Sequence, residues 1–104
     1  MKRRFRLTPE AKADLQEILL DVATDRPDAA ERLRSGFYEE LRRLGQSPGI
    51  GHFHEELLDR RYRFWNFYPY VVCYVWQKKP IQVIAVVHGA RQLAAFLATR
   101  ATPE

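Results

Sequence analysis

Four side chains of this 104-residue sequence have the chemistry to handle an anion: Arg61, Arg63, His88 and Arg91. His88 ends the β-branched run "IQVIAVVH", and Gly89 and Arg91 follow at once. An imidazole can pass a proton near neutral pH, and guanidinium forks can grip a phosphate or a carboxylate. Two readings of this stretch stay open. In one, His88 and Arg91 stand at the mouth of a working site, and Arg63, which alternates with Phe64 on another strand and so faces away from the helices, meets Arg91 there. In the other, His88 is a strand-end histidine bonded to backbone, Gly89 turns the chain, and Arg91 is solvated or ion-paired in the first turn of a helix. The segment "HFHEE" holds His52, His54, Glu55 and Glu56. A metal there needs a third ligand and a rigid frame. Neither is in view, so no metal and no cofactor are expected. Cys73 stands alone, offers no internal disulfide, and reads as a small buried hydrophobe.

The elements that must position these residues follow from periodicity. "RRFRLT" alternates, with Phe5 and Leu7 facing one way and Arg4 and Arg6 the other, as in a half-buried strand. Thr8 can cap the next helix, Pro9 fits its first position, and Glu10 suits the positive end of its dipole. Ala11, Leu15, Ile18, Leu19 and Val22 form its apolar stripe. Pro27 and Asp28 open a second helix with Ala30, Leu33, Phe37, Leu41 and Leu44 inward, which Gly45 and Pro48 stop. So short a link makes the two helices an antiparallel hairpin. "SPGIGHFHEELLDR" is an irregular crossing. "RYRFWNF", "YPYVVCYVWQ" and "IQVIAVVH" are three strands joined by short links, hence an antiparallel meander. The middle one is apolar on both sides and should be central. A short helix ending near Leu97 and a frayed tail from about residue 99 close the chain. The order β-α-α-β-β-β-α predicts one α+β domain spanning residues 1–104, a helix hairpin on one face of a small, mostly antiparallel sheet. The other face should be partly open or covered by the last helix.

Charge narrows the partners. The formal net charge is +4. Residues 1–59 balance to −2, while residues 60–104 balance to +6 with Glu104 as their one acid. A positive C-terminal half suits a negatively charged partner, nucleic acid or acidic protein, and equally a plain basic surface. Eight aromatic residues crowd between Tyr62 and Trp76; about half belong to a core. Those on the open face could stack bases or receive a partner's apolar side chains. The single cysteine suits a reducing cytoplasm. No apolar run reaches membrane-spanning length, and the basic start "MKRRFR" lacks the apolar stretch of an export signal. No membrane contact is expected.

Four stretches together resemble the RelE/ParE superfamily of toxins from bacterial type II toxin–antitoxin pairs, over about residues 4 to 97: "LTPEAKADLQEI", "LRRLGQSPGIGH", "RFWNFYPYVVCYVW" and "IQVIAVVHGARQL". The resemblance implies an antitoxin partner, and contact with operator DNA only through that antitoxin. It also implies one of two activities. RelE-like members cut messenger RNA in the ribosomal A site; ParE-like members inhibit DNA gyrase and leave nucleic acid uncut.

Metal-free RNA cleavage needs the 2′-hydroxyl deprotonated, the phosphate charge neutralised and the leaving oxygen protonated. On that reading Arg63, His88 and Arg91 are the catalytic candidates. RelE-like nucleases carry a Tyr or His near the C-terminus and several lysines. This chain has no Tyr, His or Lys after Arg91, and lysine only at positions 2, 12, 78 and 79. The ending His88-Gly89-Ala90-Arg91 is more similar to the ParE-like branch, so the expected function is a gyrase-inhibiting toxin. The alternatives are the ribosome-dependent endonuclease and a non-toxic relative that only binds its partner. An antitoxin laid over the hairpin and a sheet edge would meet Leu15 and Leu19 with apolar side chains, and Arg4, Arg6 and Arg63 with acids. The first strand is the candidate edge for strand addition.

Overall fold

A computed structural model describes residues 4–54, 59–89, 93–98 and 100, without the side chains of 93–95. The elements run β1 (Phe5–Leu7), α1 (Pro9–Asp25), α2 (Pro27–Gln46), a 3-10 turn (Pro48–Ile50), β2 (Tyr62–Phe67), β3 (Tyr70–Val75), β4 (Ile81–His88) and α3 (Leu93–Ala98). This is the α+β order read from the pattern. The sheet order is β1-β4-β3-β2; β1 lies parallel to β4, and the other pairs are antiparallel.

The Thr8 hydroxyl accepts from the Ala11 amide at 3.1 Å and so caps α1. A single residue, Arg26, ends α1 and begins α2, so the two helices fold back as a pair. Their apolar stripes bury Ala11, Leu15, Phe37, Leu41 and Leu44 against Tyr70, Val72 and Tyr74 of β3 and Ile81, Val83 and Val86 of β4. On the far face, Tyr62, Phe64, Val71, Cys73, Val75, Ile84 and Ala85 pack together with Leu97 of α3. The last helix therefore covers the second face.

Two details depart from the sequence reading. Gly45 does not stop α2, which runs on to Gln46. Its role is steric: a Cβ there would lie 2.4 Å from the Arg4 Cβ and 2.5 Å from the Arg4 carbonyl oxygen. The chain entering β1 crosses α2 so closely that only glycine fits. In β4, the register slips between Cys73 and Tyr74, and Ile84 becomes a bulge. The extra residue re-phases the strand. Ile81 and Val83 face the helix pair, Ile84 and Ala85 the far side, and Val86 the helix pair again.

β1 is only three residues long, and among the described residues no strand flanks β4 on that side past Val83. Side chains take over the ladder. Asp14 of α1 accepts from the Val86 amide at 3.1 Å, and Arg100 donates to the Ile84 carbonyl at 2.9 Å. The two close on each other at 2.7 Å, with 16% and 12% of their side chains exposed. Arg100 also lies over the Phe96 ring, 4.4 Å from its centroid. The expected fraying from residue 99 onward thus gives way at Arg100, which is clamped to the sheet; 99 and 101–104 lie outside the described residues.

Removing either partner leaves a largely buried charge alone. Asp14→Ala and Arg100→Ala should each lower unfolding free energy by about 3 kcal/mol. The double variant should cost less than the two losses added, by about 0.5–3 kcal/mol. Urea denaturation of the four proteins measures the cycle; additive losses would show that the pair does not act as one unit.

Candidate functional site

The crossing segment creates the most structured polar cluster. From the 3-10 turn the chain runs to His52, whose amide and carbonyl both bond Phe64 of β2 at 2.8 and 2.7 Å. Beneath it lies Tyr74. Its hydroxyl donates to the Pro48 carbonyl at 2.6 Å and accepts from the Gly51 amide at 3.0 Å. A Cβ on Gly51 would sit 2.4 Å from that hydroxyl and 2.9 Å from the Phe64 carbonyl, so this position admits no side chain. Burial raises the Tyr74 phenol above its ordinary range; the Gly51 amide and the Arg63 charge oppose that rise.

Arg63 is the centre of this cluster. It pairs with Tyr74 across the β2–β3 ladder, and its Nη1 donates to the Gly51 carbonyl at 2.6 Å. Its guanidinium sits between two rings, 4.1 Å from the centroid of Phe53 and 4.2 Å from that of Trp76. Those rings meet edge to face at 6.1 Å, and the Trp76 indole N–H is fixed by the Arg60 carbonyl at 2.9 Å. The Arg63 Nε is buried without a protein acceptor. The aromatic cage holds the cation half-buried.

This placement corrects the expectation that Arg63 faces away from the helices. Phe64, its neighbour, points to the far face, so Arg63 lies on the helix-pair side under the crossing segment. His88 is exposed at the end of β4, its ring packed edge to face on Tyr70 at 5.3 Å. The register runs from His88 through Tyr70 to Phe67, four residues along β2 from Arg63. At about 3.3 Å per residue and about 4.8 Å per strand, the two are roughly 13 Å apart along the sheet and two strands apart across it. Arg63 and His88 do not share a site. Arg91 lies outside the described residues. Arg61 grips Asp59 with Nε and Nη2 at 2.6–3.0 Å, and this bond holds the Asp59 carboxyl below its usual range.

The remaining candidates spread over the surface. His52 and His54 both lie near the Phe64 ring. Partial burial lowers the His52 imidazole below 6.5, and His54 lowers it further, so the fold favours its neutral form. Glu55 and Glu56 lie outside the described residues, among which no group of three metal-ligating side chains occurs. Cys73 is buried, and burial pushes its thiol far up, as expected of a packing residue. Leu15 is 3% exposed and belongs to the core, so it is unavailable to a partner. Its i,i+4 neighbour Leu19 is half-buried and, with Leu20, Ala23 and Ala30, floors an open groove of about 410 Å³ along the helix pair. Gln16, Glu31 and Arg34 form its polar rim. Leu20 is 69% exposed and was not singled out by sequence, since it falls beside the apolar stripe rather than in it. Arg4 and Arg6 face solvent and line a larger groove, about 750 Å³, at the start of β1.

No helix among the described residues is long and apolar enough to cross a membrane. The family model of the ParE toxin of type II toxin–antitoxin systems, parDE, matches residues 5–93, and the chain belongs to that family. It is a ParE-like type II toxin. Among solved structures, it is similar to one of a chromosomal ParDE toxin–antitoxin system from P. aeruginosa. That likeness has a TM-score of 0.67 and 19% identity, and covers 83% of this chain and 95% of the other. At that identity it shows the shared fold. No curated protein sequence matches significantly.

Tyr74→Phe keeps the ring but leaves the buried Gly51 amide and the Pro48 carbonyl without their partner. The variant should lose about 1–3 kcal/mol of stability in denaturant titration. It should also expose the amides around Gly51 to faster hydrogen exchange. Unchanged stability would mean that the hydroxyl is not what holds the crossing segment.

Proposed function

We propose that this protein inhibits DNA gyrase as the toxin of a type II pair and is silenced by a cognate antitoxin in the cytoplasm. Family membership over residues 5–93 carries the reading. The separation of Arg63 from His88 supports it, because the candidate groups for metal-free RNA cleavage are not gathered in one place. A caged arginine and open grooves suit binding rather than bond breaking. No specific observation favours the ribosome-dependent endonuclease or the non-toxic relative.

The hairpin groove supports an antitoxin helix as its occupant. An apolar floor of Leu19, Leu20, Ala23 and Ala30 with a rim of Gln16, Glu31 and Arg34 fits an amphipathic helix with anchors at i, i+3 and i+4. β1 ends the sheet order, so its outer edge offers backbone groups for strand addition. Arg4 and Arg6 beside it would meet acids of the antitoxin. Arg63, caged under the crossing segment, is half-buried and offers an antitoxin less than Arg4 and Arg6 do. The operator sequence is recognised through the antitoxin.

Two measurements test this. Purified protein added to gyrase should block supercoiling and accumulate cleaved complexes, while messenger on programmed ribosomes stays whole. Cut messenger with unaffected gyrase overturns the reading. Separately, Leu20→Glu places a charge on the groove floor without touching the core. Isothermal calorimetry with the antitoxin from the neighbouring reading frame should show affinity weakened by about tenfold to a hundredfold. Gyrase inhibition should be retained. Unchanged affinity would move the antitoxin off this groove.

A further inference from the structure

The larger groove has one sign of charge. Arg4 and Arg6 stand on one side, at the start of β1; Lys78 and Lys79 stand on the other, in the β3–β4 turn. The parallel register Phe5↔Ile81 brings these sequence-distant pairs together. Among the described residues, no acidic side chain lines the groove. Among the described residues none of the four cations has an ion pair or hydrogen bond. Four like charges around an open space of about 750 Å³ repel one another and raise the local potential. An anionic partner relieves that repulsion.

We propose that this groove binds the phosphodiester backbone of duplex DNA directly. The walls favour a phosphate over a peptide strand. Pro48 and Pro80 line the groove and have no N–H, so they give an incoming strand no donor for a ladder. Recognition falls to the side chains, and lysine and arginine heads meet phosphate oxygens without a backbone partner. Such contacts position DNA and read no sequence. The inference rests on no gyrase activity: DNA binding is measured with the toxin alone, so its failure and that of the gyrase reading are told apart.

The test is fluorescence anisotropy of a labelled short duplex titrated with full-length protein at several salt concentrations. Binding should weaken steeply with salt, with a log–log slope of about −3 to −4 for four contacts. Duplexes of unrelated sequence should bind alike. Lys78→Gln with Lys79→Gln should lower affinity at least tenfold and reduce the slope by about two. Arg4→Gln with Arg6→Gln should do the same. Arg32→Gln, on the exposed face of α2, serves as the control and should change neither. Thermal melting of each variant establishes that it is folded; all four positions are at the surface or half-buried. Absence of binding at low salt overturns the proposal. So does binding that survives both double variants, or a groove that takes polyglutamate and not the duplex.

Discussion

One phenol hydroxyl ties the crossing segment to the sheet. Tyr74 is buried in β3, and its oxygen both gives a hydrogen bond to Pro48 and takes one from Gly51. Gly51 in turn offers its carbonyl to Arg63 and has no room for a Cβ. Buried backbone groups of an irregular segment must find partners, and here side chains of two strands supply them. The path of residues 48–54 is therefore set from below. That path puts Phe53 over Arg63 and His52 against Phe64. Where the Arg63 cation sits, and how little of it is free, follows from this one buried hydroxyl.

The two grooves of this toxin differ in character. The hairpin groove has an apolar floor and a mixed rim, while the charged side chains described in the groove at the start of β1 are all basic. They lie toward opposite ends of α2, which lends Ala30, Glu31 and Arg34 to the first and Gly45 and Gln46 to the second. An antitoxin helix in the first leaves the second to be blocked by acids or by reach alone. Of the basic residues that make the C-terminal half positive, Lys78 and Lys79 stand on this groove, and Arg4 and Arg6 join them there from the other end of the chain.

The elements were legible in the sequence because each signal is local. Thr8 and Pro9 mark the start of α1, the helical stripes identify the buried residues of both helices, and the apolar run in β3 gives its central position. What was not legible depends on contacts between distant residues. Gly45 looks like a helix stop by composition, yet its reason lies with Arg4, across the fold. The bulge at Ile84 leaves no mark in a strand that is apolar on both faces. Arg63 alternates correctly with Phe64, but which face is open depended on the crossing segment, whose course no periodicity describes. Lys78 and Lys79 join Arg4 and Arg6 only through the parallel pairing of the first and last strands.

That same long reach appears in the clasp between Asp14 and Arg100, which spans 86 residues of sequence. During synthesis, α1 and all four strands emerge before the arginine that completes their edge. Until residue 100 has been added, the Ile84 carbonyl lacks its donor and the carboxylate of Asp14 its counterion. Closure of the β4 edge therefore waits on a residue made after every strand of the sheet, and a chain cut short before residue 100 carries that edge unsealed.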